Sequence, residues 1–247
     1  MLSKNQIKLI RSLKQKKYRL QHQLFVIGGK KTILELLNSE LKLHQLYTTT
    51  LDFDVSDVLQ TIITPNELHK ISFLKTPNET LAVFNIPKPQ PIDHNKLILA
   101  LDNVRDPGNL GTIIRLCDWF GVKDLLCNLE TVDCFNPKVV QATMGSIARV
   151  NITYLDLESF LSNQKGIQKF GAFMEGESIY SMELPKSGIL VLGNEANGIT
   201  KIIASQITER ITIPRFGNMQ VAESINVANA AAILLSEFKR GTRTTET

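Results

Sequence analysis

Three stretches of this chain gather glycine, asparagine, arginine and carboxylates between an apolar run and a helical pattern. The first is Asp102-Asn103-Val104-Arg105-Asp106-Pro107-Gly108-Asn109-Leu110-Gly111, leading to Arg115. The second is Gly193-Asn194-Glu195-Ala196-Asn197-Gly198, and the third runs from Pro214 to Glu223 ahead of Ser224-Ile225-Asn226-Val227-Ala228. Backbone N–H groups, amides and a cation so arranged can hold a ligand and stabilise developing negative charge. Histidine chemistry is excluded from this half of the chain, because His22, His44, His69 and His94 all precede it. A Ser-His-Asp or Cys-His mechanism would lack its base there, and a histidine-ligated metal its ligand. Neither a G-x-G-x-x-G fingerprint nor a Gly-Lys-Ser/Thr phosphate loop occurs, which argues against a Rossmann dehydrogenase and a P-loop ATPase. The reaction must therefore use backbone dipoles, Arg, Asn, Ser, Glu and a cofactor.

Each candidate also has a plainer reading. Gly193 and Gly198 bracket a loop where a ligand can approach the backbone, and the same spacing suits a tight turn. Glu195 either orients a polar network or is an exposed turn residue. Ser224 and Asn226 open the last helix, with Ser224 expected as its N-cap. Arg115 is either a surface arginine or an electrostatic stabiliser, and with a pKa above about 12 it cannot serve as a base. Asn229 is the only polar residue from Val227 to Leu235, so that helix calls for burial on most sides, which a homodimer would supply.

The elements that must position these loops follow from the apolar patterning. Leu97–Leu101 and Ile189–Leu192 are continuous apolar runs, as in parallel strands covered on both faces. Further strands are expected at 124–127, 150–154, 170–173 and 210–213, and helices at 110–120, 138–147, 157–164, 201–206 and 224–239. This alternation predicts a parallel sheet flanked by helices, with ligands beyond the carboxyl ends of its strands. Upstream, Ser3 and Gln6 have the spacing of a capping box before a stripe of Ile7, Ile10 and Leu13. Short strands at 24–27, 43–47, 61–63 and 81–84 alternate there with helices at 30–38 and 66–73, a small α/β sandwich. Three alternate prolines, Pro87, Pro89 and Pro91, mark the boundary between a domain of residues 1–88 and one of 92–247.

Charge divides along similar lines. The net charge is +4, yet residues 1–50 carry ten Lys or Arg against Glu35 and Glu40 alone, so the rest of the chain is net acidic. A basic amino-terminal module suggests a platform for a polyanion, and Arg11, Lys14, Lys16, Lys17 and Arg19 are its candidate contacts. No run reaches the ~20 apolar residues that span a bilayer, and no leader pattern is present, so neither membrane nor export is expected. Cys117, Cys127 and Cys134, without C-x-x-C spacing, point to a reducing cytoplasm and to no metal.

The segments N-V-R-D-P-G-N-L-G-T-I-I-R, L-V-L-G-N-E-A-N-G-I and I-P-R-F-G-N-M-Q-V-A-E-S-I-N-V-A-N-A resemble, in this order, the three motifs of the SpoU (TrmH-type) RNA ribose 2′-O-methyltransferases of the SPOUT superfamily. N-P-K-V-V-Q-A-T-M-G-S-I-A-R-V also resembles that family, and the likeness covers residues 97–240. The beginning, I-K-L-I-R-S-L-K-Q-K-K-Y-R-L, resembles the family's L30e-like RNA-binding domain, although Gly28 stands where relatives usually carry Glu. The resemblance implies a carboxyl-terminal trefoil knot, a homodimer, and S-adenosylmethionine held by Leu192, Gly193, Asn194, Gly198, Ile213, Pro214, Ile225, Val227 and Ala228. It implies catalytic positions at Arg115, Asn109, Glu195, Ser224 and Asn226, acting on structured RNA, rRNA ahead of tRNA. A non-catalytic RNA-binding relative and a base-methylating SPOUT enzyme remain the alternatives.

Overall fold

The structure, a computed structural model, describes residues 1–74, 76–77, 79–217 and 224–240. Two compact units emerge, Met1–Lys88 with Asp133–Arg149, and Pro89–Val132 with Val150–Thr247. One division falls between Lys88 and Pro89, and residues 133–149, expected with the downstream domain, pack in the first unit.

In the first unit, Ser3 and Gln6 form the expected capping box on α1 (Lys4–Ser12), and Ile10 and Leu13 are fully buried. A second helix, α2 (Lys16–His22), follows. The sheet has the order β1-β4-β2-β3, with β1 (Leu24–Gly28), β2 (Leu43–Thr48), β3 (Gln60–Ile62) and β4 (Thr80–Asn85). Between strands lie α3 (Lys30–Leu37) and α4 (Pro65–Ile71). One core joins α1 to α4 and the sheet through Ile10, Leu13, Leu24, Tyr47, Leu68, Ile71 and Val83. The helix expected over 138–147 is split into α6 (Pro137–Thr143) and a 3-10 turn at Ser146–Ala148. Met144 and Gly145 have positive φ there, and at φ +98° Gly145 sits in a backbone conformation that favours glycine.

The second unit is a six-stranded, wholly parallel sheet in the order β10-β8-β9-β5-β6-β7. Its strands are β5 (Leu97–Leu101), β6 (Asp124–Asn128), β7 (Asn151–Leu155), β8 (Lys169–Ser178), β9 (Gly188–Leu192) and β10 (Glu209–Thr212). Every residue of β5 and β9 is buried, as continuous apolar runs require. The helices are α5 (Pro107–Trp119), α7 (Leu157–Asn163), α8 (Lys201–Ala204) and α9 (Val227–Lys239). Because all strands run the same way, the loops after β5, β9 and β10 share the carboxyl edge. The expected knot crossing falls on the segment after Ile213, of which residues 218–223 lie outside the described residues. No described helix is long and apolar enough to cross a membrane.

Candidate active site

At that edge the loops are tied together by a chain of hydrogen bonds. Asn226 Nδ2 donates to Asn109 Oδ1 at 2.9 Å, and Asn109 Nδ2 donates to Glu195 Oε1 at 2.7 Å. Asn194 Nδ2 reaches Glu195 Oε2 at 3.3 Å and the Asn103 carbonyl at 2.7 Å. One residue from each loop therefore fixes the others, and both Glu195 oxygens are engaged as acceptors. Buried Asp102 braces the assembly from below, accepting from the Thr200 N–H at 2.7 Å and from Asn128 Nδ2 at 3.0 Å. Local caps set the entry of each helix. The Asp106 carboxylate accepts the Asn109 N–H at 2.8 Å and starts α5, with Pro107 in the first turn. Asn226, not Ser224, is the N-cap of α9, its Oδ1 accepting from the N–H groups of Ala228 and Asn229. Asn226 can do both because its amide oxygen faces the first turn of α9 while its amide nitrogen faces Asn109.

The second loop closes on itself. Asn194 and Gly198 exchange backbone hydrogen bonds of 2.9 and 2.8 Å. A Cβ on Gly193 would sit 2.1 Å from the Gly198 carbonyl carbon, and Gly198 itself has φ +66°. Gly193 is thus required by the turn's own backbone, the plainer of its two readings, and the turn in turn aims Asn194 and Glu195.

Beside this network lies a cleft of about 980 Å³. Buried Leu192, Ile199, Ile211, Val227 and Leu234 give it an apolar floor, while Gly193, Asn194, Gly198, Ile213 and Ile225 also line it. Its size is at the upper end for small-molecule sites. S-adenosylmethionine fits this donor set: an apolar slot edged by loop backbone suits adenine, and the polar rim suits its ribose and charged end. Glu195 and Ser224 also line the cleft, whereas Pro214 and Ala228 do not. Among the described residues no three His, Cys, Asp or Glu side chains converge as a metal site.

Comparison with known proteins meets this geometry at residues 96–236, which match the sequence profile described as the SpoU rRNA Methylase family. The chain belongs to that family. Residues 4–82 match a second profile, the MRM3-like substrate binding domain. Among relatives, the 23S rRNA (guanosine(2553)-2′-O)-methyltransferase RlmP of Bacillus subtilis (strain 168) is 29% identical, over 96% of this chain and 97% of its own. Among solved structures, a putative RNA methyltransferase of the TrmH family from Porphyromonas gingivalis is 40% identical with TM-score 0.87, covering 97% of this chain and 99% of that one. An AdoMet-bound rRNA methyltransferase from Sinorhizobium meliloti is 29% identical with TM-score 0.84, covering 97% and 96%.

In this SpoU family member Arg115 is exposed on α5 and, among the described residues, has no ion-pair or hydrogen-bond partner. It does not line the cleft. Of the basic residues named at the amino terminus, Arg11, Lys14, Lys16 and Lys17 are exposed. Arg19 departs from the expectation: it is 2% exposed, ion-paired to Asp133 and bonded to the Leu13 and Lys14 carbonyls, so its guanidinium has no face left for RNA. Sequence reasoning missed the far wall of the cleft, formed by Ala172, Phe173, Met174, Glu175 and Arg210. Gly171 and Gly176, spaced around that stretch inside a strand, were the available signal.

Proposed function

We propose that this protein transfers a methyl group from S-adenosylmethionine to a ribose 2′-hydroxyl of structured RNA, with rRNA as the substrate class. The observation that carries the proposal is the Asn226–Asn109–Glu195–Asn194 chain, which locks three loops into one surface beside an apolar cleft. When bound, S-adenosylmethionine supplies a methyl group already activated by its sulfonium. The residues of the chain then have a limited task, namely orientation and charge stabilisation. Glu195, with both oxygens engaged, holds Asn109 and Asn194 in place and is an orienting group. Arg115 offers an uncommitted bidentate fork that can clamp an RNA phosphate and stabilise the charge developing on the 2′-oxygen as its proton passes to solvent. Arg11, Lys14, Lys16 and Lys17 supply sequence-independent attraction to the RNA backbone.

The working unit is a homodimer. α9 buries Val227, Ala228, Ala231, Leu234, Leu235 and Phe238 within its own unit and leaves Ala232 and Ile233 half-covered. On α5, the spacing of Thr112, Arg115 and Trp119 puts them on one outward face, and Trp119, the only tryptophan, is 80% exposed. Such a face favours a partner. With three buried cysteines, a reducing cytoplasm suits the protein. The test is methyl transfer from labelled S-adenosylmethionine to RNA by the purified protein, followed by alkaline hydrolysis. A ribose 2′-O-methyl group blocks cleavage at its own linkage, so label must appear in alkali-resistant dinucleotides. Label in mononucleotides would mean base methylation, and no label would mean an RNA-binding relative without catalysis.

A further inference from the structure

The wall of the cleft that no motif announced has an unusual construction. β8 and β10 pair in parallel, with Glu209 opposite Phe170 and Arg210 opposite Gly171; the very next residue of β10, Ile211, stands opposite Glu177. Residues 172–176 of β8 are therefore an excursion between two consecutive residues of its neighbour. Thr212 Oγ1 ties the excursion down by donating to the Met174 carbonyl at 3.1 Å. A glycine stands at each end, and at Gly176 the neighbouring backbone requires it. A Cβ on Gly176 would lie 2.5 Å from the Arg210 carbonyl oxygen, and one on Gly171 would lie 2.6 Å from the Phe173 ring. That ring carries the Arg210 guanidinium over it, with Cζ 3.6 Å from the centroid. Phe173, Glu175 and Arg210 all line the cleft.

Among the described residues, four charged side chains line this cleft: Glu175, Glu195, Arg210 and Arg215. Glu195 is committed to Asn109 and Asn194, and Arg215 has a partner of its own. Glu175 and Arg210 are the remaining pair; among the described residues neither has an ion-pair or side-chain hydrogen-bond partner, and they are not paired with each other. A guanidinium resting on an aromatic face keeps its N–H donors in its own plane, where they can meet a carboxylate bidentately. We infer that Arg210, splinted on Phe173, recognises the carboxylate of the cofactor's amino-acid end, and that Glu175 accepts from its ammonium. The inference rests on the S-adenosylmethionine reading of the cleft. One acid and one base on the same wall match a zwitterion. An RNA phosphate, the other anion available, would be repelled by Glu175.

Calorimetry on the full-length protein separates these readings with two ligands. S-adenosylhomocysteine carries the amino-acid end; 5′-methylthioadenosine keeps the nucleoside and sulfur but lacks it. Arg210→Ala and Glu175→Gln are expected to weaken S-adenosylhomocysteine by about tenfold to a hundredfold and to leave 5′-methylthioadenosine within about twofold. Arg210→Gln, which keeps the stem over the ring, serves the same comparison should Arg210→Ala not fold. Equal weakening of both ligands would make Arg210 only a packing element of the wall, and unchanged nucleoside binding with reduced RNA affinity would make it a phosphate contact; either result overturns the inference. A parent protein that binds neither ligand would overturn the cofactor reading itself, whatever the variants do.

Discussion

Gly193→Ala should disable the cleft, and the structure says by how much. The added Cβ would stand 2.1 Å from the Gly198 carbonyl carbon and 2.2 Å from the Ile199 nitrogen, both backbone atoms that no side-chain rotation can clear. Ordinary carbon contacts are about 3.5–4.0 Å, so the loop must open by about 1.5 Å. Opening breaks the two Asn194–Gly198 backbone bonds. Overpacking of about 1–3 kcal/mol and two hydrogen bonds of about 0.5–1.5 kcal/mol each give roughly 2–6 kcal/mol in all. For a chain of this size that lowers Tm by roughly 4–24 °C. Asn194 and Glu195 lose their aim as the turn opens, so S-adenosylmethionine affinity should fall by at least about tenfold. Gly198→Ala is the internal control. Its Cβ would meet nothing within 4 Å, and only the left-handed backbone at φ +66° is penalised, by about 1–2 kcal/mol. Thermal unfolding and calorimetry on the two variants decide the matter. Parental Tm and affinity in Gly193→Ala, or equal damage from both substitutions, would refute the argument.

Arg115→Ala should lower single-turnover methyl transfer by about 10²- to 10³-fold while cofactor affinity stays within a few-fold, and Arg115→Lys should recover little, since ammonium lacks the fork; a near-parental rate would reduce Arg115 to a surface residue. Replacing Lys14, Lys16 and Lys17 by Ala should flatten the dependence of log K for RNA on log salt by up to about 2.5, and an unchanged slope would place the RNA elsewhere. Light scattering at micromolar concentration should report a dimer, with Trp119 emission shifting to the red as dilution separates the subunits; a monomer throughout would remove that part of the account. Burial pushes the Cys117 thiol up and the Cys127 thiol up to about 12, so native protein should not react with a thiol reagent at pH 8. Because these folded-state values lie above the ordinary thiol value of about 8.5, their contribution is complete below that pH and is lost as pH rises toward 12; Cys127→Val should lessen that alkaline loss in pH-dependent unfolding, and an identical profile would exclude it.

What the sequence made legible were features that local chemistry dictates. Gly193, Pro107 and the Asx caps punctuate the loops, and the apolar runs of β5 and β9 admit few readings. What it hid depends on partners far along the chain. Arg19 reads as one more cation in a basic helix until Asp133, 114 positions away, neutralises it. The strand expected over 170–173 continues as β8 to Ser178, because its pairing resumes beyond residues 172–176 through the register shift against Arg210 and Ile211. Ser224 is a good N-cap type, but the helix starts two residues later, where Asn226 can also reach Asn109.

The central claim is that this surface methylates a ribose and not a base. Its most direct test is a nucleotide-resolution map of 2′-O-methylation across total RNA from cells carrying the gene, lacking it, or carrying Arg115→Ala. The account predicts that a ribose methylation in rRNA disappears without the gene and is not restored by Arg115→Ala. An unchanged ribose map, or the loss of a base methyl group in its place, would contradict it.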